Sequence, residues 1–195
     1  QSPAGAQVLS PNEATAALER LFERERVVDL VALFKTLGTR SRMSVFRRLS
    51  PLDYLASYNH AGRFYTLRRV PSFDENGLWQ HQGALFSTHG SLKATTWRLV
   101  EQSHAGFTHE ELRDRLRVRV HNALLELLRE KRITRADDEA VFLYLSGNRS
   151  RAAAQRNKRE QRDAVHVEAR LEPLLVVEVL VEVIHGARGV PEPAA

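Results

Sequence analysis

Apolar residues recur at helical spacing in several stretches, and two sets of these stretches repeat one another. Residues 92–102 set Leu92, Leu99 and Val100 on one face with Thr96 between them, which predicts a helix ended by Ala105-Gly106. Thr108 predicts an N-cap for a second helix, with Glu110 and Glu111 in the first turn, where the helix dipole favours carboxylates, and Leu112 and Leu116 facing inward. The stripe Val120, Leu124, Leu127 and Leu128 predicts a third helix from about Val118 to Glu130. A short strand at Ile133-Thr134, a charged loop over Arg135 to Glu139 and a strand over Ala140 to Leu145 complete the set.

The first part of the chain repeats this order. Asn12 is expected to cap a helix running to about Arg24, and Val27-Val28 to be extended. Asp29 caps Leu30 to Leu37, ended by Gly38, and Thr39 or Ser41 opens a third helix that runs to Leu49 and stops at Pro51. Tyr54 to Tyr58, a turn over Asn59 to Gly62, and Arg63 to Leu67 predict a hairpin. At a constant offset of 79 residues Leu33 falls on Leu112, Leu37 on Leu116, Val45 on Leu124, Phe46 on Leu125, Leu49 on Leu128, Phe64 on Leu143 and Tyr65 on Tyr144. A gap-free duplication of three helices and a β-wing predicts tandem winged helix-turn-helix domains.

The expected fold is therefore mainly α with small β-wings, an α+β chain. Residues 1–10 form a disordered leader, 11–70 the first domain, 71–90 a connecting segment and 91–148 the second domain. In the connection, Phe73, Leu78, Trp79, Leu85 and Phe86 are expected to seal the interface between the domains, with a short strand near Ala84 to Ser87. A basic arm over 149–170, an apolar C-terminal helix over 171–187 and a tail over 188–195 follow. That last helix, with Glu178, Glu182 and His185 on one polar stripe, either packs back on the core or makes a homodimer contact.

Charge changes the picture more than composition does. The chain carries 29 Lys and Arg against 24 Asp and Glu, a net charge of +5. Residues 149–162 hold six basic groups and one acid, a surplus equal to the whole net charge, whereas 163–195 are acidic. Arginine pairs bidentately with phosphate or guanine, so the balance suits a polyanionic partner, the plainer alternative being a solvated helix face. Candidate DNA contacts in the first domain are Arg40, Arg42, Arg47 and Arg48 on the third helix, with His60 and Arg63 on the wing. In the second they are Arg117, Arg119, His121 and Asn122 at the start of the helix, with Lys131 and Arg132 leading into the wing. Arg119 is suited to guanine and Asn122 to adenine. Arg149, Arg151, Arg156, Lys158, Arg159 and Arg162 form the arm, which would add phosphate contacts.

Catalytic signatures are absent: there is no phosphate loop, dinucleotide fingerprint, zinc-protease helix or nucleophile elbow. With no cysteine, disulfides, thiolate metal sites and cysteine nucleophiles are excluded. The eight histidines lack ligating spacing, so neither a metal nor a cofactor is expected. The longest apolar run, Leu174 to Ile184, is broken by Glu178 and Glu182 and falls short of the roughly 20 residues that cross a bilayer. No membrane partner is expected.

The run Ser57 to Leu67, with Phe73 to Trp79, Phe86 to Gly90 and Tyr144-Leu145-Ser146, resembles a family of mostly uncharacterised bacterial proteins that often accompany transposases and other mobile elements. The resemblance spans roughly residues 26–150 and implies a DNA-binding regulator or accessory factor, with a further helical DNA-binding segment after the apolar helix and no catalytic residues. The expected function is double-stranded DNA binding in a bacterial cytoplasm, associated with the nucleoid. A winged-helix protein-interaction subunit of a chromosome-organising complex and a replication initiator are the alternatives.

Overall fold

A step of 79 residues carries one half of the protein onto the other with its elements in register. The computed structural model describes residues 9–138 and 141–165. The first module is α1 (Pro11–Glu25), β1 (Val28–Asp29), α2 (Leu30–Leu37), α3 (Arg42–Leu49), β2 (Tyr54–Ala56) and β3 (Phe64–Leu67). A hairpin follows, β4 (Leu78–His81) and β5 (Ala84–Ser87). The second module is α4 (Leu92–Gln102), β6 (Phe107–Thr108), α5 (His109–Leu116), α6 (His121–Arg129), β7 (Ile133–Asp138) and β8 (Val141–Ser146). A last helix, α7, covers 149–165. The chain is α+β.

Strand pairing repeats as faithfully as helix order. The sheets are β1-β3-β2 and β6-β8-β7, all antiparallel, and Val28 faces Tyr65 as Phe107 faces Tyr144. Tyr54 faces Leu67 as Ile133 faces Ser146. Each module has its own core: Leu18, Phe22, Leu33, Val45 and Leu49 in the first, and Val100, Leu112, Leu116, Leu124 and Leu127 in the second, all essentially inaccessible.

Local chemistry sets the helix ends. Asp29 accepts from the Ala32 N–H at 2.8 Å to start α2, and Gly38 ends it at φ +63°, a left-handed conformation that costs glycine nothing. Thr108 and Glu111 close a reciprocal capping box on α5. Some ends differ from the sequence expectation. Ser10, not Asn12, caps α1: it pairs reciprocally with Glu13, and Pro11 occupies the first turn, where its missing N–H is no loss. Leu9 packs on the first core, so the last two residues of the expected leader belong to the fold. The third helix of the second module starts at His121 rather than Val118, because Arg117 takes a left-handed φ of 55° and Val118 to Val120 are spent turning the chain. Arg135 to Asp138, expected in a loop, extend β7 by pairing with β8.

The connecting segment also departs from expectation. Leu78 to His81 pair with Ala84 to Ser87 as a hairpin that lies on the first module, where Ala84, Phe86, Phe73 and Trp79 pack on Leu55, Val27 and Phe64. Leu78 and Tyr58 reach the second core. In the second module α7 takes the corresponding role, with Ala152 packed on Ala136, Leu143 and Leu145. Beside the hairpin the first module keeps an open cleft of about 630 Å³, lined by Leu21, Arg24, Ala32 and Phe64. These residues stand 79 positions before Val100, Ser103, Glu111 and Leu143, which α7 contacts or overlies.

No helix among the described residues is long and apolar enough to cross a membrane. The apolar helix expected at 171–187, its homodimer contact, the tail over 188–195, residues 1–8 and the end of the arm beyond 165 lie outside the described residues.

Candidate nucleic-acid interface

The turn between the second and third helices is built alike in both modules. Gly38 and Arg117 each end a helix in the left-handed region, and two residues later stand Arg40 and Arg119, 79 positions apart. Both side chains are exposed, and neither has a carboxylate partner among the described residues. Arg42 and His121 follow at matching positions on the first turn of α3 and α6, also exposed. Ser41 caps α3 through the Ser44 N–H, whereas Val120, at the same place before α6, has no capping side chain and is buried in the core.

Further along, the two helices diverge. Asn122 is exposed where α3 places Met43, itself 82% exposed. Arg47 points to solvent, but its counterpart Glu126 pairs with Lys93 at 3.2 Å. Arg48 turns inward: it donates to the Leu9 carbonyl at 3.4 Å, and its Nη1 is buried without a partner. It therefore serves α3's packing on the start of the chain.

The remaining candidates are engaged elsewhere. Arg117 donates to Gln80 Oε1 and Arg115 to Asn76 Oδ1, joining the end of α5 to the connecting segment. Tyr58 completes that joint by donating to the Leu116 carbonyl at 3.1 Å. Burial pushes the Tyr58 phenol up to about 12, against the opposing pull of Arg117. The β2–β3 turn is likewise fastened. Asn59 donates to the Gly83 carbonyl at 2.7 Å and accepts from the Leu85 N–H at 2.9 Å. His60 lies 3.3 Å from the same Gly83 carbonyl, and Arg63 donates to the His60 carbonyl. In the second module the outer part of β7–β8 carries Asp137 with half-exposed Val141 and Phe142, and Arg135 lies over the Phe142 ring at 4.0 Å. Lys131 is exposed at φ 55°, and Arg132 stacks on Trp97.

The basic segment is a docked helix. Gln155, 2% exposed, accepts from the Ser146 N–H at 2.8 Å and donates to the carbonyls of Val100 and Ser103 at 2.7 and 3.0 Å. Arg159 donates to both Glu111 oxygens and to Asp163, Arg162 reaches Glu111 at 3.2 Å, and Arg151 holds Glu101. Burial pushes the Glu111 carboxyl up, yet the Thr108 N–H and the two arginines outweigh it and hold it below the usual range. Lys158 donates to Gln161 at 3.3 Å. Arg149 and Arg156 are exposed without a carboxylate partner among the described residues.

Sequence reasoning missed three structural contributors. Gln155 is one amide among charges, Tyr58 was assigned to a wing strand, and Trp97 lies off its helix's apolar stripe. Only Trp97, a bulky aromatic beside Arg98, carried a signal that could have marked it. Among the described residues no group of three or more His, Asp or Glu side chains is placed to hold a metal ion. Comparison with known protein families, with curated proteins and with solved structures gives no match to this chain.

Proposed function

We propose that the two modules are tandem winged helices and that together they bind double-stranded DNA, as a transcriptional regulator or an accessory factor of a mobile element. The order helix, strand, helix, helix, strand, strand, present twice in register, supports taking α3 and α6 as recognition helices. The observation that carries the reading is the equivalence of Arg40 and Arg119: each stands exposed and without a carboxylate just before a third helix, with Arg42 or His121 beside it. On the second module Arg113, Arg151, Arg159 and Arg162 pair with carboxylates and Arg115 and Arg117 cross-link to the connecting segment, whereas Arg40 and Arg119 have no carboxylate partner among the described residues. Arg119 suits guanine and Asn122 suits adenine, while Arg47 and Arg156 are placed for phosphates. The mechanism is binding alone.

Replacing Arg119 or Asn122 with alanine should weaken binding to a selected site by roughly 1–3 kcal/mol and relax the preference at one base pair. Native affinity and preference in both variants would exclude α6 as the reading helix.

A protein-interaction module is the second reading, and the hairpins favour it. One is sewn to Gly83 and Leu85, and the other carries Asp137 with exposed Val141 and Phe142, a surface better suited to a peptide than to phosphates.

A further inference from the structure

Two guanidiniums meet on one indole at the join between the modules. The carbon of Arg132 lies 3.7 Å from the Trp97 ring centroid and that of Arg98 lies 4.6 Å from it. Trp97 itself is half-buried against the second core, so it serves as a fixed post for the two cations. Glu126 and Glu130 share a single cation, Lys93, at 3.2 and 2.9 Å, and Asp53 pairs with Arg68 at 2.9 Å. Arg98 and Arg132 have no carboxylate partner among the described residues.

Arg68 donates to the Thr88 carbonyl at 3.0 Å and so fixes the chain at His89, whose own N–H bonds to Ser87. Burial first, then the fields of Arg98 and Arg68, hold the His89 imidazole below its usual range. Gathering like charges on a rigid platform is unfavourable unless an anion shares them.

We infer that Arg98 and Arg132, stacked on Trp97, form a phosphate-binding site that grips the DNA backbone outside the two recognition helices. The inference rests on the DNA-binding reading above and extends it. Two guanidiniums offer phosphate a charge-assisted contact, and such a contact carries no base preference. Arg68 is not counted in the site: its Nε and Nη1 donate to Asp53 and Thr88. The site lies beyond the C-terminal end of α6, at the opposite end of that helix from Arg119, so a bound duplex would be held at both ends of the reading helix.

The test compares the full chain with Arg98→Gln/Arg132→Gln, and with Arg20→Gln/Lys35→Gln as a control that removes the same charge from exposed positions elsewhere. Binding to a selected duplex and to random duplex is measured across salt concentrations. The Arg98/Arg132 variant should lose affinity for both DNAs by the same factor, and its dependence of log affinity on log salt should be shallower by about 2, near 0.9 per phosphate contact. The control should change the slope by much less. In parallel, inorganic pyrophosphate is titrated while the Trp97 indole N–H and the His89 ring are followed by NMR. Saturable shifts in the native chain, lost in the Arg98/Arg132 variant, support the site even if no DNA is bound, an outcome that would remove the DNA reading alone. An unchanged salt slope together with no pyrophosphate-dependent shift would overturn it.

Discussion

Arg159 donates from one nitrogen to both carboxylate oxygens of Glu111, at 3.0 and 2.9 Å, across 48 residues of sequence. The most basic stretch of the chain is thereby fastened to α5, the helix that precedes α6, and its charge is partly neutralised at home. Cations on α7 fall into two classes. Arg151, Arg159 and Arg162 maintain the fold, while Arg149 and Arg156 face outward.

Arg159→Ala should therefore cost stability more than DNA affinity. The Arg159 side chain is 13% exposed and Glu111 34%, so removing the cation leaves a half-buried carboxylate with only Arg162 and the Thr108 N–H, at a cost of roughly 2 kcal/mol. Chemical denaturation measures it. Arg156→Ala should leave the midpoint within about 0.5 kcal/mol of native, as expected for an exposed side chain without an ion pair. Equal effects of the two substitutions would contradict this division.

Acid should loosen α7. The folded Glu111 carboxyl titrates below its usual 4.5, so the stability it contributes is fully present above that value and disappears as the pH falls through the lower folded one. The protection factors of α7 amides, which correct for slower intrinsic exchange in acid, should fall in the native chain once the pH drops below the usual carboxylate range. Glu111→Gln should remove that pH-dependent component.

Gln155→Leu should be among the most damaging single substitutions in α7. The buried amide satisfies the Ser146 N–H and the carbonyls of Val100 and Ser103, and leucine would leave all three without this partner. A loss of roughly 2–4 kcal/mol is expected in denaturation. Gln155→Glu should be only partly tolerated, because a carboxylate accepts from Ser146 but cannot donate to carbonyls.

Tyr58→Phe should weaken the join between the modules while sparing each core. It removes the hydrogen bond to the Leu116 carbonyl, worth roughly 1 kcal/mol, and keeps the ring. In the native chain, spectrophotometric titration should show one phenol ionising near pH 12. That late component should be missing from the Tyr58→Phe chain.

Much of the architecture was legible because it is written twice. Asp29 and Thr108 stand at N-cap spacing before helices whose inward leucines match, Leu33 with Leu112 and Leu37 with Leu116, and the offset of 79 residues aligns the hairpins from the sequence alone. Other features lacked a local signal. All four residues of β5 are buried and β4 is only half-covered, so neither shows two-residue alternation, and their pairing as a hairpin was hidden. β7 contains Arg135, Asp137 and Asp138, poor strand formers carried by cross-strand bonds to β8. The arm showed its charge but not its anchor, because a buried glutamine leaves no periodic trace. For the candidate contacts, sequence marked cations on and just before α3 and α6; it could not tell Arg40 and Arg119, which have no carboxylate partner among the described residues, from Arg48 and Arg159, which tertiary partners capture.

The central claim is tested most directly by binding the full chain to a pool of random duplex DNA at two salt concentrations and sequencing what is retained at the higher one. Two related half-sites at a fixed spacing, weakened by Arg40→Ala or Arg119→Ala, are the expected result. Absence of binding at both salt concentrations would contradict the DNA reading and favour the peptide surface of the second hairpin.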